Sequence, residues 1–140
     1  LIVCGIGPME EWCKEYVATN KLNVEMRGYI QNEETIKLIA ESKGLILPTQ
    51  WYEGFPMSIV EAFSVGTPVL CSDLGNAGSV VENKVMGYKF KYNSINQIIN
   101  AVKELMNQSL NNNQIKKIYN DKYSEHTNYE MLERIYHGIL

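Results

Sequence analysis

Short apolar runs alternate with longer amphipathic stretches along most of the chain. The runs Leu1–Gly5, Asn23–Gly28, Gly44–Pro48, Pro68–Ser72 and Gly87–Lys91 read as strands. Helix-period segments lie between them. The first, Pro8–Asn20, opens on proline, carries Glu10 and Glu11 in its first turn, and turns Trp12, Cys13, Tyr16 and Val17 to one face. The second, Asn32–Lys43, takes Asn32 as its N-cap and points Ile36, Ile39 and Ala40 inward. The third, Pro56–Val65, is stopped by Gly66 and Pro68. A helical turn is expected over Ala77–Glu82. Ser94 and Gln97 have capping-box spacing, and the helix they open should bury Ile95, Ile98, Ile99, Val102, Leu105 and Met106. An exposed Asn/Gln-rich linker, Asn107–Asn113, leads to a helix over Gln114–Tyr123. Thr127 and Glu130 then predict a last capping box and a helix with Tyr129, Leu132, Ile135 and Tyr136 on one side.

Strands alternating with helices imply an α/β fold: a Rossmann-like parallel sheet of about five strands with flanking helices and right-handed crossovers. Ligands in such folds bind at the carboxyl ends of the strands. That singles out three loops, Ile6–Pro8, Tyr29–Gln31 and Thr49–Phe55.

Composition narrows the partners. The 140 residues are one domain's worth of chain, 45% hydrophobic and 21% charged, which reads as globular. Net charge is −3, and no basic run exceeds Lys116-Lys117, which argues against nucleic acid or an anionic membrane surface. No apolar run reaches the roughly 18 residues of a transmembrane span. Cys4, Cys13 and Cys71 lack metal-type spacing and read as reduced core thiols of a cytoplasmic protein. The chain opens inside an apolar strand, LIVCGIGP, without Met or a leader, so a piece of a longer chain is expected.

The candidate chemistry lies in the loops. GIGPME after the first strand begins like a dinucleotide fingerprint, but Glu10 stands where the third glycine belongs. The second strand also ends in Arg27-Gly28, not in an acid that could hold a ribose. A phosphoacceptor receiver domain would need acids after the first and third strands, where Gly5-Ile6-Gly7 and Thr49-Gln50 stand. The third loop, PTQWYEGFP, clusters Trp51, Tyr52 and Phe55 beside Gly54 and Pro56. The helix after Pro56 offers free N–H groups at Met57 and Ser58, a start that suits an anion. Glu53 and Glu61 bracket that start. Glu61 is either the solvated side of the helix or a ligand grip; carboxylates accept from sugar hydroxyls while amides donate to phosphate. Asp73-Leu74-Gly75-Asn76 is first of all a turn, with a minor ligand contact as its second reading. His126 and His137, without partners at ligand spacing, read as surface or core-edge residues.

In order along the chain, VCGIGPME (from Val3), VEMRGYI (from Val24), GLILPTQWYEGFPMSIVEAFSVGTPVLCSDLGN (from Gly44) and MGYKF (from Met86) resemble the C-terminal, donor-binding domain of family-4 glycosyltransferases. These are retaining enzymes of the two-domain GT-B architecture. The spacing Glu53…Glu61 matches that family's E-x7-E signature. The resemblance implies that residues 1–140 are the nucleotide-sugar-binding domain, half of a GT-B fold without its first strand and without the acceptor domain. Glu53 would touch the donor sugar near the reacting carbon, as a donor-site residue with a catalytic role. Gly54, Phe55, Pro56 and Met57 would line sugar and diphosphate, joined by the Ser58 amide, and Glu61 would hold the ribose. Gly7 would belong to the small loop beside the donor, and Arg27, Gly28, Tyr29 and Ile30 would cradle the base.

The implied reaction is retaining transfer of a sugar from a UDP- or GDP-linked donor to a glycan or lipid-linked acceptor in polysaccharide assembly, without metal or other cofactor. Acceptor contacts, and any peripheral attachment to the inner membrane face, would reside in the domain before Leu1. The family's Glu after the fourth strand is replaced near Ser79, with Glu82 displaced. The family's diphosphate-binding Arg and Lys would also precede Leu1, so the isolated chain is expected to be inactive and to bind donor weakly. A non-catalytic sugar-nucleotide-binding module is the alternative. A GT-B epimerase, which would bring its own acid/base residues, or a phosphorylase, which would bring a lysine-bound pyridoxal cofactor, is the further one.

Overall fold

The computed structural model describes residues 1–139. Its strands are β1 (Ile2–Cys4), β2 (Glu25–Gly28), β3 (Leu45–Leu47), β4 (Val69–Ser72) and β5 (Gly87–Phe90). Its helices are α1 (Glu10–Thr19), α2 (Asn32–Glu41), α3 (Met57–Ser64), α4 (Gly75–Val80), α5 (Ile95–Asn107), α6 (Asn112–Lys122) and α7 (Glu125–Ile139). Each strand falls inside its predicted run, because short apolar runs between turn residues can bury backbone only by pairing. The strands divide between two parallel sheets, β1-β2 and β3-β4-β5. The chain likewise divides into two compact units, Leu1–Lys37 and the remainder from Leu38.

In the first unit, Ile2 and Val3 pair in parallel with Glu25 and Met26, and the register shifts before Cys4 meets Gly28. The second unit holds the core. On one side of its sheet, Ile59, Ala62 and Phe63 of α3 pack with Val69, Cys71, Ala77, Val81, Met86 and Ile115. On the other, Leu70, Tyr88 and Phe90 meet Ala101, with Ile98, Val102 and Leu105 of α5 against them. The buried Thr67 hydroxyl donates to the Ile39 carbonyl at 2.9 Å, tying the end of α2 to the start of β4.

Several expectations are corrected. Ala40 is exposed, and only Ile39 of its helix is buried. Of the six apolar residues expected inside α5, Ile95, Ile99 and Met106 are exposed, and the buried residue is Ala101, whose methyl allows close approach to the sheet. The Ser94 hydroxyl does accept from the Gln97 N–H, at 3.4 Å. Gln97 Oε1 in turn accepts from the Lys91 N–H at 2.9 Å, so the second half of the box closes on the strand exit. The last helix starts before Thr127: Ser124 Oγ accepts from the Thr127 N–H at 3.2 Å and serves as its cap. Tyr129, Leu132, Ile135 and Tyr136 are all exposed. Asn111 caps α6 and shortens the expected linker. Cys4 is exposed and Cys13 half-buried, so Cys71 is the core thiol; all three are free. No helix among the described residues is long and apolar enough to cross a membrane.

Gly87 sets the tightest constraint in the sheet. A Cβ placed there would lie 1.7 Å from the Val69 carbonyl oxygen, inside the β4–β5 ladder. Backbone cannot step aside as a flexible side chain can. Gly87→Ala is expected to cost about 3 kcal/mol of stability, read as a lower urea midpoint; an unchanged midpoint would show that the ladder can open without penalty.

Candidate functional site

The predicted site residues fall in both units. In the first, Gly7 lies in the exposed turn after β1, where its carbonyl accepts from the Glu10 N–H at 3.0 Å. Gly28, at φ +62°, ends β2 and accepts from the Gly5 N–H at 2.6 Å. Its left-handed backbone explains the glycine there. Tyr29 is exposed and Ile30 half-buried. Arg27 is committed to acids: its Nε donates to Glu25 Oε1 at 2.8 Å, and a terminal nitrogen lies 3.6 Å from Glu34 Oε1. The hydrogen bond to Glu25 raises the guanidinium pKa still further above its usual value.

In the second unit, the loop from Pro48 to Pro56 leaves the carboxyl end of β3 and delivers the chain to α3. Trp51, Tyr52 and Phe55 are exposed, at 79%, 81% and 52%, so they do not plug the core edge. Pro56 is fully buried and stands at the N-cap, one position before its predicted place as first helical residue. The Met57 N–H is not free: it donates to the Phe55 carbonyl at 3.1 Å, closing a tight turn around Pro56. This corrects the expectation of two donors. The helix has no side-chain cap, and among the described residues no acceptor takes the Ser58 N–H. Ser58 is therefore the donor that remains at a helix start favouring negative charge.

Glu53 and Glu61 are both half-buried, and among the described residues neither carboxylate has a hydrogen-bond or salt-bridge partner. Burial of Ile59, Val60, Ala62 and Phe63 leaves Ser58, Glu61 and Ser64 on the remaining face of α3. Two underemployed acids flanking an uncapped helix start form an arrangement able to accept hydroxyl protons on either side of an anion.

The turn after β4 proves more important than its sequence suggests. The Ser72 hydroxyl donates to the Thr49 carbonyl at 2.7 Å. Asn76 Nδ2 donates to the Glu53 carbonyl at 3.1 Å and also to that of Gly54. Gly75, at φ +53°, lies under Tyr52, whose Cδ1 would be 2.9 Å from a Cβ there. Behind the turn, Lys89 Nζ donates to the Gly78 carbonyl at 3.2 Å and lies 3.5 Å from Asp73 Oδ1. The Cys71 thiol donates to the Ala77 carbonyl at 3.4 Å. In sequence this segment marks only a turn, with Asp73, Gly75 and Asn76 directly after an apolar run. Ser79, where the family's acid is replaced, donates to the Asn76 carbonyl at 3.0 Å, and Glu82 is exposed beyond α4. His126 pairs at the surface with Glu130, 3.3 Å away.

This parallel α/β arrangement, with its loop and helix start at the strand ends, is that of a glycosyltransferase domain of the GT-B type. The profile of the family "Glycosyl transferases group 1" matches residues 1–121, and the chain belongs to that family. It is 34% identical over 65 residues to the UDP-Gal:alpha-D-GlcNAc-diphosphoundecaprenol alpha-1,3-galactosyltransferase of Escherichia coli, a match covering 46% of this chain and 16% of that protein. In fold it is similar to lipopolysaccharide outer core galactosyltransferase WaaB in its apo form, at TM-score 0.83 and 18% identity over 100% of this chain and 41% of that one. It is also similar to Anabaena Alr3699/HepE in complex with UDP-glucose, at TM-score 0.76 and 19% identity over 96% and 40%. The chain spans only 10% to 26% of the curated relatives it matches. The matched family agrees with the glycosyltransferase part of the resemblance read from the sequence.

Cys71 gives the turn a pH signature. Burial pushes its thiol from 9.0 up to about 12, so the fold favours the neutral form. Stability from this group is complete below the unfolded pKa and is lost as pH rises from there toward the folded value. The loss approaches roughly 1.4 kcal/mol per pH unit. Burial raises Tyr88 and Tyr123 in the same direction, so the comparison needs a variant. Urea unfolding above about pH 9 should show a shallower decline for Cys71→Ala than for the native chain; equal slopes would remove Cys71 from the account.

Proposed function

We propose that this chain supplies the donor-binding portion of a retaining glycosyltransferase, which moves a sugar from a nucleoside diphosphate to a glycan or lipid-linked acceptor. The observation that carries the proposal is the pair Glu53 and Glu61. Both are half-buried and unpartnered among the described residues, and they stand either side of a helix start whose Ser58 N–H has no acceptor. Two similar proteins favour this chemistry: one is a galactosyltransferase acting from UDP-Gal on an alpha-D-GlcNAc-diphosphoundecaprenol acceptor, and one solved neighbour is in complex with UDP-glucose.

In this reading Glu61 accepts from the ribose hydroxyls, and Glu53 accepts from a hydroxyl of the donor sugar beside its anomeric carbon. Gly54, Phe55 and Pro56 line the sugar and diphosphate, with backbone rather than charge facing them. The Ser58 N–H and the positive end of α3 meet the diphosphate, where negative charge grows as the glycosidic C–O bond breaks. The diphosphate leaves with the bonding electron pair. The acceptor oxygen adds on the same face of the sugar, and its proton passes to the departing diphosphate. Gly7, Gly28, Tyr29 and Ile30 are proposed as contacts to the donor and its base on the strength of the resemblance. Arg27 is the weakest of the proposed contacts, since Glu25 and Glu34 already neutralise its charge.

Titration with UDP- and GDP-sugars tests the reading. Glu61→Ala should weaken donor binding by about 1.5–3 kcal/mol, the size of a hydrogen bond to a charged group. Glu53→Ala, read in the longer protein expected to carry this domain, should lower kcat more than it raises KM. If both alanine variants bind and turn over donor as the native protein does, the donor-site reading fails.

A further inference from the structure

We propose that Asn76 is a positioning residue: its side-chain amide holds the Glu53–Gly54 backbone and so sets where the Glu53 carboxylate meets the donor, an inference that rests on the donor-site reading above. Two adjacent carbonyls, those of Glu53 and Gly54, face one nitrogen. A primary amide has two N–H groups, so one Asn can serve both oxygens; a hydroxyl could serve only one, and a carboxylate neither.

The rest of the loop is anchored to the same turn. Near its start the Thr49 carbonyl is held by Ser72, and its aromatic Tyr52 rests on the bare backbone of Gly75. Among the described residues the Glu53 carboxylate has no hydrogen-bond or salt-bridge partner that could fix it, so its backbone is the handle. Asn76 is in turn held from behind. Ser79 donates to its carbonyl, Cys71 to the next carbonyl along, and Lys89 to the one after that, at Gly78. A continuous set of hydrogen bonds thus runs from the buried strand β4 and from β5 to the loop bearing the acid. Asn76 itself is exposed, so its replacement leaves the core intact.

Asn76→Asp is the decisive variant. It keeps the shape and suits the first turn of a helix, but turns an acceptor toward two acceptors. Asn76→Ala removes the group without repulsion. Trp51 sits on the held loop, and Trp12 is the only other tryptophan of the sequence, so the full chain carrying Trp12→Phe reports the loop by Trp51 anisotropy. Both variants should lower that anisotropy while the urea midpoint stays near the native one. Both should also weaken binding of UDP- or GDP-sugar probes and, in the longer protein expected to carry this domain, cut kcat/KM about tenfold or more, as a misplaced catalytic group does. Unchanged anisotropy overturns the clamp whatever Glu53 does. Lower anisotropy with native binding and turnover, while Glu61→Ala weakens binding, overturns the positioning role alone. Native binding and turnover in Glu53→Ala and Glu61→Ala overturn the donor-site reading, and the role of Asn76 toward a donor falls with it.

Discussion

Everything distinctive about the site follows from the burial of one face of α3. Ile59, Ala62 and Phe63 have no accessible surface, packed against β3, β4 and the later helix α6. Burying such side chains contributes roughly 1.5–3 kcal/mol for each large one, which fixes both the axis and the rotation of the helix. Once that rotation is set, the polar positions Ser58, Glu61 and Ser64 have a single direction left to face. A glutamate cannot wander around a helix whose opposite side is sealed. The same packing points the helix start, with its unpaired donor, toward the loop that leaves β3.

Strand positions are legible in the sequence because each run is bounded on at least one side by Gly, Pro, Asn or Lys, and a short run of that kind can bury its backbone only in a ladder. Helix burial was less legible. Periodicity correctly placed a stripe on α5, yet Ile95, at 75% exposed, lies outside the core while small Ala101 lies inside it. Pattern gives the face of a helix but not how far its ends overhang the sheet. Caps behave similarly: Ser94 is legible from its Gln97 partner, whereas Ser124 has no Glu or Gln three residues on to mark it.

The site was legible at Glu53 and Glu61 because their spacing around Gly54 and Pro56 is itself the feature. Met57 departs from the pattern because a proline at the N-cap, and not one position later, bends the Met57 N–H back onto Phe55. The turn at Gly75-Asn76 was underrated for a different reason. A turn sequence announces that the chain reverses; it carries no mark of the loop, over twenty residues earlier, whose carbonyls the turn will serve. Such long-range side-chain-to-backbone bonds exist only once two strands lie side by side.

The two-sheet arrangement bears on how the polypeptide behaves in concentrated solution. β3 has β4 on one side only, and its three residues, Leu45, Ile46 and Leu47, are wholly aliphatic. A strand rim of that kind is a template for cross-molecular ladder growth. Its brevity, and the missing donor at Pro48 immediately after it, limit the template to a single short rung set. Pro48, exposed and without an N–H to donate, thus ends the ladder at the carboxyl side of β3.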